Sequence, residues 1–482
     1  MVDFRPVLQV VGWVLVVLAA SMGAPAVADA VAGFGEWRVF VLSAGLTVFV
    51  GLAFVLGMRS RWADLTVRQA YLAIALGWLM PCVFAALPFA FGDAHLPAAD
   101  AFFEATCGVT ATSATMLAPL ERLPPGLLLW RGVLQWLGGV GTLAMATAIL
   151  PALRIGGMQI FRIEMLSPVE KMAPRAARIG STLIGVYAAI TAVLGLLLWL
   201  AGMTGFDAWI HAMATISTGG FSTWDSSVGH YRSAAIDAIV TAGMVLGGLP
   251  FLLFFRAVRG NVGALFRDAQ VRWYLGVMLA GALAVSLWLA VSRHFTAGEA
   301  LRYGTFTVAS VMTGTGFTTI DYGGWTGIPA AVLLFLAFLG GCAGSTTGGI
   351  KVFRLQLLLT EALVQMRRLL RPHAILIASF NRRPIADDIP ESVMGFLFVF
   401  AMAFAALAMG LGLVGLDFIS AISGAVGAIA NLGVGLGAAV GPGSNLAALP
   451  DAAKWLLAAG MIFGRLEIFP LLVLFVPTFW KQ

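Results

Sequence analysis

Residues 303–316 read YGTFTVASVMTGTG, an apolar run closed by alternating Thr and Gly. It is too short to cross a bilayer, which takes about 20 apolar residues in a helix. Three further segments share its make-up: DAFFEATCGVTATS at 100–113, DAWIHAMATISTGG at 207–220 and SAISGAVGAIANLG at 420–433. Aligned on their last residues, the four fall into register without gaps, and each sits between two long apolar stretches. Such a segment fits a re-entrant half-helix that enters the membrane from one face and turns back. Its irregular backbone is permitted because it lines a wet cavity and not lipid. The C-terminal end of each half-helix would aim its negative dipole end at the membrane centre. The Gly, Thr and Ser that follow expose carbonyl and hydroxyl oxygens able to replace a cation's water shell. Small residues also occur at helix packing seams, but four such segments in matching positions favour a pore built from four units of helix, loop and helix.

Composition agrees with a membrane setting. Of 482 residues, 60% are hydrophobic and 11% charged, and mean hydropathy is +0.94, whereas soluble chains carry roughly 25% charge. A soluble enzyme, a disordered regulator and a disulfide-stapled secreted module are excluded, because none could keep this much apolar surface from water. Apolar stretches predict ten spans, at 7–27, 37–57, 69–91, 127–150, 180–202, 236–257, 273–292, 327–349, 392–415 and 452–478. The fold class is an all-α polytopic membrane protein of four pseudo-repeats plus two N-terminal transmembrane helices. The expected divisions are 1–68, 69–175, 176–270, 271–372 and 373–482.

Orientation follows from Lys and Arg, which favour cytoplasmic loops. One face takes Arg5; Arg59, Arg61 and Arg68; Arg154, Arg162, Lys171, Arg175 and Arg178; Arg256, Arg259, Arg267 and Arg272; Lys351, Arg354, Arg367, Arg368, Arg371, Arg382 and Arg383; and Lys481. The other takes Arg38, Arg122, Arg131, Arg232, Arg293, Arg302 and Lys454. The first face is therefore read as cytoplasmic, with both termini on it. The pI near 9.5 is positive-inside bias and not a nucleic-acid surface. Arg5, the apolar run and Ala28-Asp29-Ala30 imitate a cleavable signal, but the run from Val7 to Val27 is long enough to span. Cys82, Cys107 and Cys342 lie in or beside apolar segments and read as buried hydrophobes, neither a disulfide framework nor a metal site.

The loops STGGFST at 217–223 and TGTGFTT at 313–319 resemble the membrane subunits of Trk-type potassium uptake systems. So do GGCAGSTTGGIKVFR at 340–354, NLGVGLG at 431–437, GRLEIFPLLVLF at 464–475 and WLGGVGTLAMATAILPALRIGGMQIFRIE at 136–164. The resemblance runs over nearly the whole chain, including two N-terminal helices that the related Ktr-type subunits lack. It implies potassium uptake across the inner membrane of a bacterium by a homodimer in which each subunit has its own pore. It also implies a cytosolic nucleotide-binding regulator of the TrkA-type ring. Carried over by position, the potassium filter comprises Thr110, Ala111, Thr112 and Ser113; Thr218, Gly219 and Gly220; Thr313, Gly314, Thr315 and Gly316; and Asn431, Leu432 and Gly433. Potassium is the transported ion, and no organic cofactor or transition metal is expected. The first loop departs from the family's usual TTTG at Ser113. In the related plant transporters a serine in this loop accompanies sodium permeability, so the departure implies admission of sodium.

The segment Gly340, Gly341, Gly344, Ser345, Thr346, Thr347, Gly348 and Gly349 interrupts an apolar span. Unsatisfied backbone in lipid costs several kcal/mol per group, so this piece must face protein or water. It reads as an intramembrane gate, and the resemblance assigns Arg465 to hold it. Arg465 falls midway along the expected last span, where a central Arg costs about 2.5–3.5 kcal/mol and needs oxygen partners. Glu467, two residues on, points to another face. The spacing after Gly349 excludes a Walker-type phosphate loop. Asp100, Glu104, Asp207, His211, Asp225, Glu299, Asp321 and Asp417 gather at the external mouth as cation attractors, or as helix caps for Asp100, Asp207 and Asp417. Arg367, Arg368, Arg371, Arg382 and Arg383 read as contacts for the regulator or for anionic lipid. A multispan membrane enzyme would need a clustered acid, base or metal constellation, and none is legible. An alternating-access cation:proton symporter shares the broken helices and stays open.

Overall fold

The computed structural model describes residues 3–58, 65–149, 153, 156–160, 172–292, 295–374, 376, 378–381, 383–386, 388–437, 439–442, 444 and 446–480. Of the cations used for orientation, Arg59, Arg61, Arg154, Arg162, Lys171, Arg293, Arg382 and Lys481 lie outside the described residues, as do the side chains of Arg175, Arg178 and Arg383. Part of the 136–164 stretch does too. The described chain is helical apart from one two-stranded hairpin, Ser379–Phe380 with Arg383–Pro384.

The burial pattern is that of a protein dissolved in lipid. Long helices keep large apolar side chains outward, among them Phe49, Leu279, Leu287, Phe398 and Leu413. The short helices at the four repeated segments form much of the buried core: in Ala98–Val109, Gly205–Ile216, Ala297–Thr313 and Phe418–Ile429 the C-terminal turns leading into the tetrads are buried. Their polarity explains why they need a sheath. Each carries Ser, Thr or Gly that lipid could not satisfy.

Each half-helix is followed, after a connecting segment, by a further helix. These inner helices carry one signature at one register: Leu137-Gly138-Gly139, Leu246-Gly247-Gly248, Leu339-Gly340-Gly341 and Phe463-Gly464-Arg465. The first glycine has a packing cause in three of the four. A Cβ at Gly138, Gly247 or Gly464 would press on the carbonyl of Val109, Ile216 or Ile429, the last residue of its own half-helix. The glycines thus let each inner helix meet the end of its half-helix backbone to backbone.

Among the described residues, six helices are long and apolar enough to span, or up to eight if two bent pairs each count once. Two spans expected to be continuous are broken, and a third is interrupted at the Gly-, Ser- and Thr-rich segment read from the sequence. The stretch at 236–257 bends by 97° between Ala234–Gly247 and Phe251–Val258, at Gly248 and Pro250, where a missing N–H and a glycine end the helix. The stretch at 327–349 is helical only to Leu339, because Gly340 leaves the helix at φ 68°, and a new helix, Val352–Leu370, follows the loop. The stretch at 452–478 bends by 106° after Arg465, where Glu467 and Ile468 both have positive φ. Arg465 is therefore the last residue of a helix and not its midpoint. The N-terminal pair, Arg5–Ser21 with Gly23–Ala32 and Trp37–Gly57, packs through Gly12 and Gly51. A Cβ at Gly12 would stand 2.7 Å from the Gly51 carbonyl.

Candidate functional site: four converging loops and the segment beneath them

All four half-helices end in the same way. The second residue of each closing tetrad, Ala111, Thr218, Gly314 and Asn431, is left-handed at φ 50°, 53°, 74° and 55°. Its N–H bonds the carbonyl three residues back, at 3.1 Å in every case. The next N–H, of Thr112, Gly219, Thr315 and Leu432, reaches five residues back at 2.8, 2.9, 2.9 and 2.8 Å. This is the Schellman ending, which satisfies the last carbonyls of a helix while turning the chain. Three of the four left-handed residues carry a Cβ, at a penalty of roughly 1–2 kcal/mol each, so the turn is enforced by its surroundings. The fourth tetrad residue is left-handed in Gly220, Gly316 and Gly433, at φ 78°, 75° and 84°. Ser113 does not share that conformation.

These tetrads meet. A Cβ on Gly220 would stand 2.9 Å from Ser113 Cβ, one on Gly316 would stand 2.8 Å from the Leu432 carbonyl, and one on Gly433 would stand 2.7 Å from Ser113 N. Ser113 Oγ donates to the Leu432 carbonyl at 2.5 Å. The loop that departs from the others in sequence thus departs in structure, tying its hydroxyl to the fourth loop. In the first and third loops paired hydroxyls brace the turn, Thr110 with Thr112 at 2.8 Å and Thr313 with Thr315 at 2.7 Å. Asn431 Nδ2 donates to the Met461 carbonyl at 2.9 Å, while its Oδ1 is buried without a protein partner among the described residues.

Behind the first two loops stands a polar wall that the sequence reading missed. Gln135, fully buried on helix Pro125–Ala144, donates from Nε2 to the Gly219 carbonyl at 2.7 Å and the Thr112 carbonyl at 3.3 Å. Its Oε1 accepts from Phe221 N at 3.0 Å. One turn earlier, Arg131 Nε pairs with Glu104 Oε1 at 2.8 Å and Nη1 donates to the Ser222 carbonyl at 2.9 Å. Glu104 also accepts from Met116 N at 2.7 Å. Arg131 and Glu104 are 1% and 0% exposed, so neither is the solvated external charge expected from the sequence.

Below the tetrads lies the segment 340–351. Thr346 Oγ1 donates toward the Ile216 carbonyl at 3.0 Å, at the end of the second half-helix, and toward that of Gly247 at 3.1 Å. Gly348 packs so closely on the Ala430 carbonyl, at the end of the fourth, that a Cβ would collide with it. Cys342 N bonds the Gly248 carbonyl and Phe251 N bonds that of Gly344, each at 2.9 Å, which uses the polar groups freed by the 97° break. Arg465 Nη1 donates to the Thr346 carbonyl at 2.9 Å, and its Nε and Nη2 are buried without protein partners among the described residues. Lys351, counted above among loop charges, is buried and donates from Nζ to the Thr347 carbonyl. Arg354, counted likewise, is buried and pairs with Glu467, which therefore does not serve Arg465.

The remaining external candidates separate. Asp417 caps the fourth half-helix by accepting from Ser420 N at 3.1 Å, and bonding to Ser420 holds its carboxyl below the usual range. Asp207 is not a cap: Thr204 fills that place, and Asp207 accepts from Thr223 Oγ1 at 2.6 Å. Asp100 is not a cap either but an ion-pair partner of Lys454 at 2.5 Å. Glu299 completes a capping box with Thr296. Asp225 accepts from Leu120 N at 2.9 Å and Asp321 from Gly323 N at 2.8 Å. His211 is buried between the Asp207 carbonyl and Ser222 Oγ. The three cysteines are buried and unpaired with one another.

Long helices with apolar outer faces around four buried half-helices, whose ends converge above a buried loop, define a polytopic membrane protein. A family model for TrkH, described as a cation transport protein, matches residues 43–482. The potassium uptake protein TrkI of the Trk system of Halomonas elongata is 39% identical over 99% of this chain and 97% of its own. Its counterpart TrkH of Salmonella typhimurium is 37% identical over 99% and 100%. The crystal structure of the potassium transporter TrkH from Vibrio parahaemolyticus superposes with a TM-score of 0.91 at 34% identity, covering 99% of this chain and all of that one. The chain belongs to the TrkH family of cation transport proteins.

Proposed function

We propose that this protein is the potassium-conducting membrane subunit of a Trk system, passing ions inward through the four converging tetrads. The observation that carries the proposal is the fourfold recurrence of one left-handed, Schellman-closed turn at the ends of four half-helices that meet. Such an arrangement presents oxygens and helix C-termini to one axis, the chemistry that a dehydrated cation requires. The four units at 69–175, 176–270, 271–372 and 373–482 then act as quarters of one pore, behind a separate N-terminal pair at 1–68. The segment 340–349 is the gate beneath the filter. The subunit works as a homodimer in the inner membrane of a bacterium with both termini cytoplasmic, under a TrkA-type regulator ring. Membership of a cation transport family argues against the enzyme reading. Rubidium tracer uptake into proteoliposomes holding the purified protein tests the proposal: uptake should exceed that of empty vesicles and be competed by potassium, and its absence under an imposed negative-inside voltage would refute it.

Ser113 predicts relaxed selectivity. Its hydroxyl occupies the Leu432 carbonyl, removing an oxygen from the ring and adding its own. The wild type should admit sodium, and Ser113→Gly should shift preference toward potassium. Sodium competition against rubidium uptake measures the shift, and identical curves for the two proteins would show that Ser113 does not face the ion.

A further inference from the structure

Gln135 touches two tetrads at once. The carbonyls it holds, of Thr112 and Gly219, belong to the third residue of the first and second tetrads. Among the described residues, the equivalent carbonyls of the other two loops have no such side-chain partner behind them. That of Thr315 lies against Gly220, and that of Leu432 accepts from Ser113 and lies against Gly316. At this level the ring is therefore split, with two carbonyls drawn back into the wall and two turned toward neighbouring filter residues. The wall itself is unequal. At the register of Gln135 the other inner helices carry Met244, Ala337 and Met461, and at the register of Arg131 they carry Val240, Leu333 and Leu457. Only the first inner helix can bond a loop from behind with side chains at these positions.

The amide is oriented without ambiguity. A backbone N–H, of Phe221, requires the oxygen on one side, and two carbonyls require the nitrogen on the other. A buried amide with both ends engaged holds its partners rigidly, because releasing any of them strands a polar group in the protein interior.

We propose that Gln135 is a positioning residue for ion selectivity, setting how many carbonyls face the ion by holding those of Thr112 and Gly219 away from the axis. With Gln135 in place the radius at that level is fixed. Without it, the two peptides are free to turn inward and close around a smaller ion, so discrimination against sodium falls. The inference rests on the proposed conduction through these tetrads.

The test compares rubidium and sodium tracer uptake in proteoliposomes of wild type, Gln135→Met and Gln135→Glu. Met keeps the volume and removes every hydrogen bond; Glu keeps the shape and the acceptor for Phe221 and, buried against two carbonyls, stays protonated, so that its single O–H can hold one of them. Both should lower the rubidium to sodium ratio by about two- to tenfold, the range set by one or two hydrogen bonds, while rubidium uptake persists. Trp136→Phe serves as the control on the same helix: its indole bonds Thr191 at 3.1 Å, away from the tetrads, and the ratio should hold. An unchanged or raised ratio in Gln135→Met overturns the inference, and where that variant fails to assemble, the same result in Gln135→Glu does so. A ratio lower in Gln135→Glu than in Gln135→Met would also overturn it, because Glu retains more of the hydrogen bonds. Absence of rubidium uptake by the wild type would instead refute the proposed function.

Discussion

Arg465→Ala is expected to raise basal cation flux by about tenfold or more. The guanidinium donates to the Thr346 carbonyl from the end of a neighbouring helix, and a charged hydrogen bond of this kind contributes about 1.5–3 kcal/mol. If that bond is made only while the segment lies across the passage, its loss shifts the closed and open populations by the corresponding factor. The Ala side chain also leaves the guanidinium's space to water, which eases ion entry. Rubidium uptake without the regulator measures the effect. Reduced uptake in a variant that still elutes as the wild-type assembly would show that Arg465 supports the pore and does not close it.

The second large effect concerns stability. Arg131→Met should destabilise the protein by about 3–5 kcal/mol, the usual consequence of stripping one partner from a buried ion pair. Glu104 would keep Met116 N and Thr115 Oγ1 as partners but lose its only counter-charge among the described residues. The double variant Glu104→Leu with Arg131→Met should be less damaged than the sum of the single changes, because no charge is left stranded. Thermal unfolding of the detergent-solubilised protein, followed by the fraction that remains monodisperse, checks both. A single variant as stable as the wild type would mean that the pair has no structural role.

The convergence of the tetrads was legible because a gapless register of small and hydroxylated residues is a local signal. Of the breaks in three inner helices, the one at 340–349 was legible as Gly, Ser and Thr within an apolar span, and the other two were not. Gly248 and Pro250 are visible punctuation, but an apolar window long enough to score a span averages across them. The ion pairs were not legible at all. Positive-inside counting treats each Lys or Arg as a solvated loop charge, whereas Arg131, Arg354 and Lys454 are buried against Glu104, Glu467 and Asp100, which lie 27, 113 and 354 residues away in the chain. No spacing rule links positions that far apart. Asp207 failed as a cap for a different reason: Thr204, three residues earlier, does the same work with a shorter reach. Gln135 left no trace, since a lone amide in an apolar helix acquires meaning only from the backbone opposite it.

The inner helices place Gly139, Gly248, Gly341 and Arg465 at one register. A channel assembled from four identical chains could not be arranged this way, since any arginine at that position would appear four times around the axis and any loop able to receive it would appear four times as well. Joining the quarters in one polypeptide frees each to diverge, so that under the proposed gating the fourth quarter supplies the latch and the third the catch, while the second also braces the catch through the carbonyls of Ile216, Gly247 and Gly248. Such a device has a single mechanical event to complete, without the partial occupancies that four equivalent latches would populate. It follows that grafting an arginine at Gly139 or Gly248 would not add a second latch. A Cβ at either position would collide with a buried tyrosine hydroxyl, that of Tyr187 or Tyr274.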